Sequence, residues 1–285
     1  VRRQAVRRPA GHSLGATSSD DFRAQCFAAH APDSIAHYLE HVWLGVPDAS
    51  DQSTLAQDET GEPVVIAVTD LAHYRADLLD AMHQVYGGER ETHARALLSQ
   101  WSKYYFGFAA TAGFVAAALL GRPLDLSPER THLVLRGGLP VALYLAQDAL
   151  QPPATDPADR YAPLVDHLDA VIATLSAMTK IAPRVLWSNA GNLLDYLFER
   201  CASQFDLTGD AAWLFGPLAA NGEANPLRMP VRQVTPRAAS LPNPFSARRV
   251  CCVRYEIPGE TQLCGRCPLL LTMSDAEIAL QEASH

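Results

Sequence analysis

Four cysteines hold the chemistry open to this chain. Cys251, Cys252, Cys264 and Cys267 fall within seventeen positions, spaced C-C-x11-C-x2-C. Thiolates are soft donors that suit zinc, Cu(I) and iron–sulfur centres, and suit magnesium or calcium poorly. Four of them complete the ligand set of a [2Fe–2S] or [4Fe–4S] cluster, or of one tetrahedral zinc. In Cys264-Gly265-Arg266-Cys267 the two-residue spacing lets two thiolates reach one metal centre. Gly265 is expected to keep that turn open, and Pro268 to stop it continuing as a helix. Adjacent side chains in extended chain point to opposite sides. Cys251 and Cys252 can therefore both ligate only if the backbone bends between or just after them.

The spacing leaves three readings open. A cluster leads. Structural zinc is weakened because zinc modules present two C-x2-4-C or H-x3-5-H knuckles, and here one knuckle is C-C. A redox disulfide is weakened because a catalytic C-x-x-C opens a long helix in a βαβ setting, and only a short run follows Cys267. Neither ferredoxin spacing, C-x4-C-x2-C nor C-x2-C-x2-C-x3-C-P, is present. Arg248, Arg249, Arg254 and Arg266 flank the cysteines. They read either as ordinary surface residues or as cations that stabilise a reduced cluster or dock an acidic electron carrier. Cys26 and Cys201 stand apart and fit small core thiols. The clustering speaks for a reducing compartment rather than a secreted disulfide scaffold.

Composition narrows the classes. The 285 residues are 48% hydrophobic and 19% charged, with a net charge of −8. That is a globular composition, and it argues against general nucleic-acid binding, which needs a basic face. Arg2, Arg3, Arg7 and Arg8 open the chain without a following apolar stretch. They read as a disordered tail over 1–19 and not as a signal peptide.

The elements that must position the cysteines read mostly as helices. Residues 20–46 are expected to be helical on the stripe Ile35, Leu39, Val42, Trp43, and 47–62 to be a loop. A strand is expected over 63–68, then a helix over 71–86 capped by Asp70 and stopped by Gly87-Gly88. A further helix from Glu89 carries Trp101, Tyr104, Tyr105 and Phe108. Its uncharged run 104–121 reaches the lower edge of a membrane span, yet its alanines and glycines mark a buried core helix. Residues 131–135 and 139–145 read as a hairpin through Gly137-Gly138. Two helical stripes follow, Leu164 to Met178 and Leu186 to Phe205, with Pro183 at the start of the second. Six prolines in 217–246 mark an extended strap, and Ser274 caps a last helix to Glu282. No nucleotide, flavin or nicotinamide fingerprint is present. The reading is an α+β fold: a predominantly helical body over 20–216 with a small antiparallel β element, the strap over 217–246, and a C-terminal iron–sulfur segment over 247–285.

The run Arg248-Arg249-Val250-Cys251-Cys252-Val253-Arg254-Tyr255, then Pro258 and Cys264-Gly265-Arg266-Cys267, resembles the C-terminal segment of the FhuF-type ferric siderophore reductases. Leu214-Phe215-Gly216-Pro217, Asn225-Pro226-Leu227 and Pro230-Val231-Arg232 are similar to the strap before it. Trp187-Ser188-Asn189 and Trp101-Ser102-Lys103-Tyr104-Tyr105 look like family features of lower specificity. The family pattern is C-C-x10-C-x2-C, and this chain has one residue more in the spacer, an insertion that costs little loop entropy.

The resemblance implies a [2Fe–2S] cluster held by Cys251, Cys252, Cys264 and Cys267, with no catalytic side chain beyond it. It implies one-electron reduction of Fe(III) in a siderophore, of hydroxamate type, which releases the metal because siderophores hold Fe(II) far less tightly. The expected setting is cytoplasmic, at most peripheral to the inner membrane, with no membrane span. Electrons would come from a ferredoxin or an NAD(P)H-dependent reductase. A cavity between body and strap is expected, with Trp187, Asn189, Trp101 and Tyr104 as candidate substrate residues. The alternatives are a zinc-stabilised siderophore-binding module and a siderophore synthetase-like protein, whose body the chain also resembles.

Overall fold

The computed structural model describes residues 24–47, 62–219, 221–259 and 262–282. The expected tail over 1–19, and most of the expected loop over 47–62, lie outside them. Around the helix pairs runs one five-stranded sheet of order β1-β2-β5-β4-β3. Its strands are β1 (Gln25–Cys26), β2 (Val42–Leu44), β3 (Val64–Ala67), β4 (Thr131–Arg136) and β5 (Leu139–Leu145). β4 and β5 form the expected hairpin, and Gly137 and Gly138 take φ of 54° and 87° at its turn. A Cβ at Gly138 would also sit 2.1 Å from the Asp77 carbonyl oxygen. The strands alternate as a half-buried sheet must. Leu133, Leu135, Leu143 and Leu145 face the main core. Val134, Ala142 and Tyr144 face the other side with Trp43 and Val65.

The first described segment departs from the helical expectation. Only Asp33–Ala36 (α1) is α-helical there, while Val42 and Trp43 lie in β2, parallel to β5. Val, Trp and Leu are good strand residues, and the free edge of β5 claims them. Cys26 is half-buried rather than buried, its thiol facing the carbonyls of Leu39 and Glu40.

Helix α2 (Arg75–Tyr86) follows a 3-10 turn over Val68–Tyr74, so Asp70 lies inside that turn and does not cap the helix. Helix α3 (Ala94–Phe114), with a π turn over Val115–Leu119, is the axis of the molecule. Most of its uncharged run is buried in the core, and no described helix is long and apolar enough to cross a membrane. Helices α4 (Pro157–Thr179) and α5 (Pro183–Cys201) pack against it, and α6 (Thr208–Leu214) against α4. Cys201 is buried, as its place on the α5 stripe predicts. Phe205 falls beyond the end of α5 and is partly exposed.

The proline-rich stretch is more ordered than a strap. β6 (Val231–Val234) and β7 (Phe245–Arg248) pair antiparallel within it. This arm lies close on the body, because a Cβ at Gly191 of α5 would meet Pro230 at 2.7 Å. The last helix, α7 (Asp275–Glu282), begins with a capping box: Ser274 Oγ accepts from the Glu277 amide, and the Glu277 carboxylate accepts from the Ser274 amide.

Candidate metal centre and the adjoining cleft

Strand β7 delivers the chain to the cysteines. Its last residue, Arg248, donates its amide to the Arg266 carbonyl at 2.8 Å, so the two halves of the motif are joined by the backbone. Val253 supplies the bend that Cys251 and Cys252 require. Its φ is +55°, in the left-handed region that β-branched residues rarely enter. A 3-10 turn over Arg254–Glu256 follows, and Ile257 anchors it in the main core. The second pair is closed by the Cys267 amide donating to the Cys264 carbonyl at 2.8 Å. Glycine is not demanded there by backbone shape. A Cβ at Gly265 would meet nothing within 4 Å, and Gly265 lines a cleft instead.

The four thiols are neighbours in a ring. Cys251 interacts with Cys252 and Cys267, Cys252 also with Cys264, and Cys264 also with Cys267. Cys252 and Cys267 are buried, Cys251 and Cys264 half-buried, and none is in a disulfide. The backbone amides of Val253 and Leu269 donate to Cys251 and Cys267. Hydrogen bonds from the Cys251 and Cys264 thiols hold Cys252 well below the usual thiol range, helped by the charges of Lys103 and Arg248. The complementary hydrogen bonds push Cys251 and Cys267 up. Among the described residues no group of three or more His, Cys, Asp or Glu side chains is arranged to hold a single metal ion. A two-iron cluster asks for something else, two thiolates on each iron, and pairwise adjacency of four reduced thiols with amide donors fits that demand.

The arginines divide into distinct roles. Arg266 pairs with Asp195 and Glu199 of α5 and clips the Cys264–Cys267 turn to the body. Arg254 lies over the Tyr86 ring at 5.1 Å. Arg249 is exposed and donates to the Arg228 carbonyl. Arg248 is not a surface residue: it is 2% exposed and donates to Asn189 Oδ1 at 2.5 Å and Ser188 Oγ at 3.3 Å.

A buried polar network ties the cysteines to α3 and α5. Ser99 Oγ and Gln100 Nε2 donate to the Cys252 carbonyl at 2.8 and 3.2 Å. Ser188 Oγ donates to the Val250 carbonyl at 2.9 Å. Asn189 is the hub, its Nδ2 donating to the Ser99 carbonyl, Ser99 Oγ and Ser102 Oγ while its Oδ1 receives Arg248. Lys103 Nζ donates to Gln100 Oε1 at 2.6 Å.

Beside this network lies a cleft of about 390 Å³. Its walls are Tyr38, Lys103, Phe106, Gly107, Asn189, Asn192, Leu193, Tyr196, Arg248, Cys264, Gly265 and Arg266. It therefore opens between α3, α5 and the cysteine motif. Of the four candidate substrate residues, Asn189 is in its wall. Trp101 is fully buried and donates its indole N–H to the Gly138 carbonyl at 2.8 Å. Trp187 is buried in the core, and Tyr104 stands partly exposed beside Tyr86. Sequence reasoning missed Ser99, Gln100 and Lys103. Their signal was three polar residues on a helix whose neighbours are apolar, a costly arrangement unless each polar group has a partner.

A family model described as ferric iron reductase FhuF-like transporter matches residues 99–240. That span begins at Ser99, which grips Cys252, and takes in α3 from there on, α5 and β6. A ferric siderophore reductase of Escherichia coli strain K12 is 29% identical over 257 residues, 88% of this chain and 92% of that protein. The family model covers most of the helical body and β6 and ends before the cysteine motif, and over that span the chain is similar to FhuF-like ferric iron reductases.

Proposed function

We propose that the protein is a ferric siderophore reductase in which Cys251, Cys252, Cys264 and Cys267 hold a [2Fe–2S] cluster. One observation carries the reading: four reduced thiols form a ring at the edge of a cleft, and one of them, Cys264, is part of its wall. When bound, such a cluster supplies single electrons. The substrate is Fe(III) in a siderophore, a hydroxamate chelate by the family resemblance; one electron gives Fe(II), which the hard oxygen donors release.

The side chains have definable work. Tyr38, Tyr196, Asn192 and Lys103 offer hydrogen bonds to the rim of an oxygen-rich chelate, and Phe106 and Leu193 pack against its organic scaffold. Ser99, Gln100, Ser188 and Asn189 fix the cysteine backbone against the body, so that distance between electron and substrate is set by helices rather than by a loop. The electron enters from a separate carrier, a ferredoxin or an NAD(P)H-dependent reductase, in a cytoplasmic setting. The likeness to the E. coli ferric siderophore reductase supports the same reading.

Anaerobic analysis of iron, labile sulfide and zinc tests it. The expected result is about two irons and two sulfides per chain, with visible absorbance that bleaches on reduction and returns when ferric siderophore is added. Zinc without iron or sulfide would overturn the proposal.

A further inference from the structure

Arg248 presents a charge imbalance beside the cysteines. Two other arginines that reach across elements have carboxylates: Arg160 has Asp210, and Arg266 has Asp195 and Glu199. Arg248 is more buried than either, yet its hydrogen-bond partners are the neutral Asn189 and Ser188, and its Nε has none. Among the described residues no carboxylate lies within ion-pair distance of it. A buried charge is costly unless an opposite charge compensates it. Lys103 repeats the pattern in milder form. It is half-buried in the cleft wall, with Gln100 as its hydrogen-bond partner and no carboxylate among the described residues. Both cations converge on one place. Arg248 is three residues before Cys251 and bonded to the residue before Cys267, and Lys103 reaches the Cys252 carbonyl through Gln100.

Resting on the cluster reading above, we infer that Arg248, seconded by Lys103, is the counter-cation of the cysteine site and sets its reduction potential. Two Fe(III), two sulfides and four thiolates sum to −2, and one added electron makes −3. A fixed cation beside the site stabilises the second state more than the first. Arg248 is a positioning residue in this sense: it transfers no proton or electron, and Asn189 holds it in place.

The test is a redox titration of the full-length protein, purified anaerobically and followed by visible absorbance and electron paramagnetic resonance. Arg248→Met is expected to weaken the reduced form at least tenfold relative to the oxidised form, a fall of about 59 mV for one electron. Arg248→Lys keeps the charge and is expected to stay within threefold of wild type. Lys103→Met is expected to give a smaller fall, about threefold, at unchanged iron content. Where Arg248→Met fails to fold or retain iron, Lys103→Met decides. Unchanged potentials in the methionine variants, or a fall in Arg248→Lys as large as in Arg248→Met, overturns the inference while leaving the reductase reading intact. Wild-type protein without iron and sulfide overturns both.

Discussion

The helical body and the cysteine arm of this protein are stabilised by different physics. The body buries one large apolar core in which Trp101, Tyr105, Phe106, Phe114 and Tyr161 are wholly enclosed. The arm, from 217 onward, gathers only Ala238, Phe245, Ala247, Cys267, Leu270 and Ile278 into a separate small core, and one of those six is a proposed ligand. So small an apolar group cannot offset the entropy of ordering the arm. What remains is the anchoring of Leu227 and Ile257 in the body's core, the polar clasp on α3 and α5 and, on our reading, the cluster itself. On that reading the body is the scaffold, and the arm is the part whose order depends on its ligands.

The sharpest way to break this comparison is Cys252→Ser. Iron, colour and reductase activity should all be lost, and limited proteolysis should cut within 217–282 while the body stays resistant. An arm that resists protease without iron would show that the clasp alone suffices. Trp101→Ala strikes the body instead. It removes a wholly buried indole and the donor to Gly138, at a cost of about 3–5 kcal/mol, and calorimetry should show body and arm melting together.

The third effect is a pH dependence confined to the body. His167 is buried between α3 and α4, bonded to the Tyr105 hydroxyl at 2.7 Å and to the Leu126 carbonyl. Burial pushes it down from the ordinary histidine value to about 4. The unfolded chain therefore takes up a proton that the native state refuses. The stability this pair brings is complete above about pH 6.5 and is lost as pH falls toward 4. At about 1.4 kcal/mol per pH unit, the loss is on the order of 3 kcal/mol. Urea midpoints measured from pH 7.5 to 4.5 should show the slope, and His167→Phe should flatten it.

Asn189→Ala releases the clasp. It removes the bonds to Ser99, Ser102 and Arg248 and strands a buried guanidinium, costing about 1–3 kcal/mol. Hydrogen exchange should rise in the arm before it rises in α4. The smallest effect belongs to Arg95→Ala. The Arg95–Glu256 pair joins α3 to the turn after the cysteines, but Arg95 is 59% exposed. Less than about 1 kcal/mol is expected, and a larger loss would mean that the clasp extends to the surface.

The body was more legible than the arm, and the reason is locality. Helices α2 to α5 and the β4–β5 hairpin are written as apolar periodicity and a Gly-Gly turn, which need no distant partner. Val42 and Trp43 carry a helical spacing too, but their strand partner β5 is a hundred positions away in sequence. The β6–β7 pair hides among prolines, because Val231–Val234 holds no internal proline and its partner lies across a long connection. In the site, the cysteines announced themselves by residue type. Ser99, Gln100 and Asn189 did not, since a polar residue on an apolar stripe gains its meaning only from the carbonyls of Val250 and Cys252 and the guanidinium of Arg248.

The grip of Ser99 on the Cys252 carbonyl spans 153 positions, and the Leu263 amide is held by Gln281 of the last helix. During synthesis, α3 must wait for nearly the whole remaining chain before its polar face is answered. The ribosome adds about 5–20 residues each second, so Ser99 and Gln100 stay hydrated for many seconds after the body's first helices have emerged. On the cluster reading, the cysteine cradle would be completed late in synthesis, when Cys267 and then Gln281 have emerged.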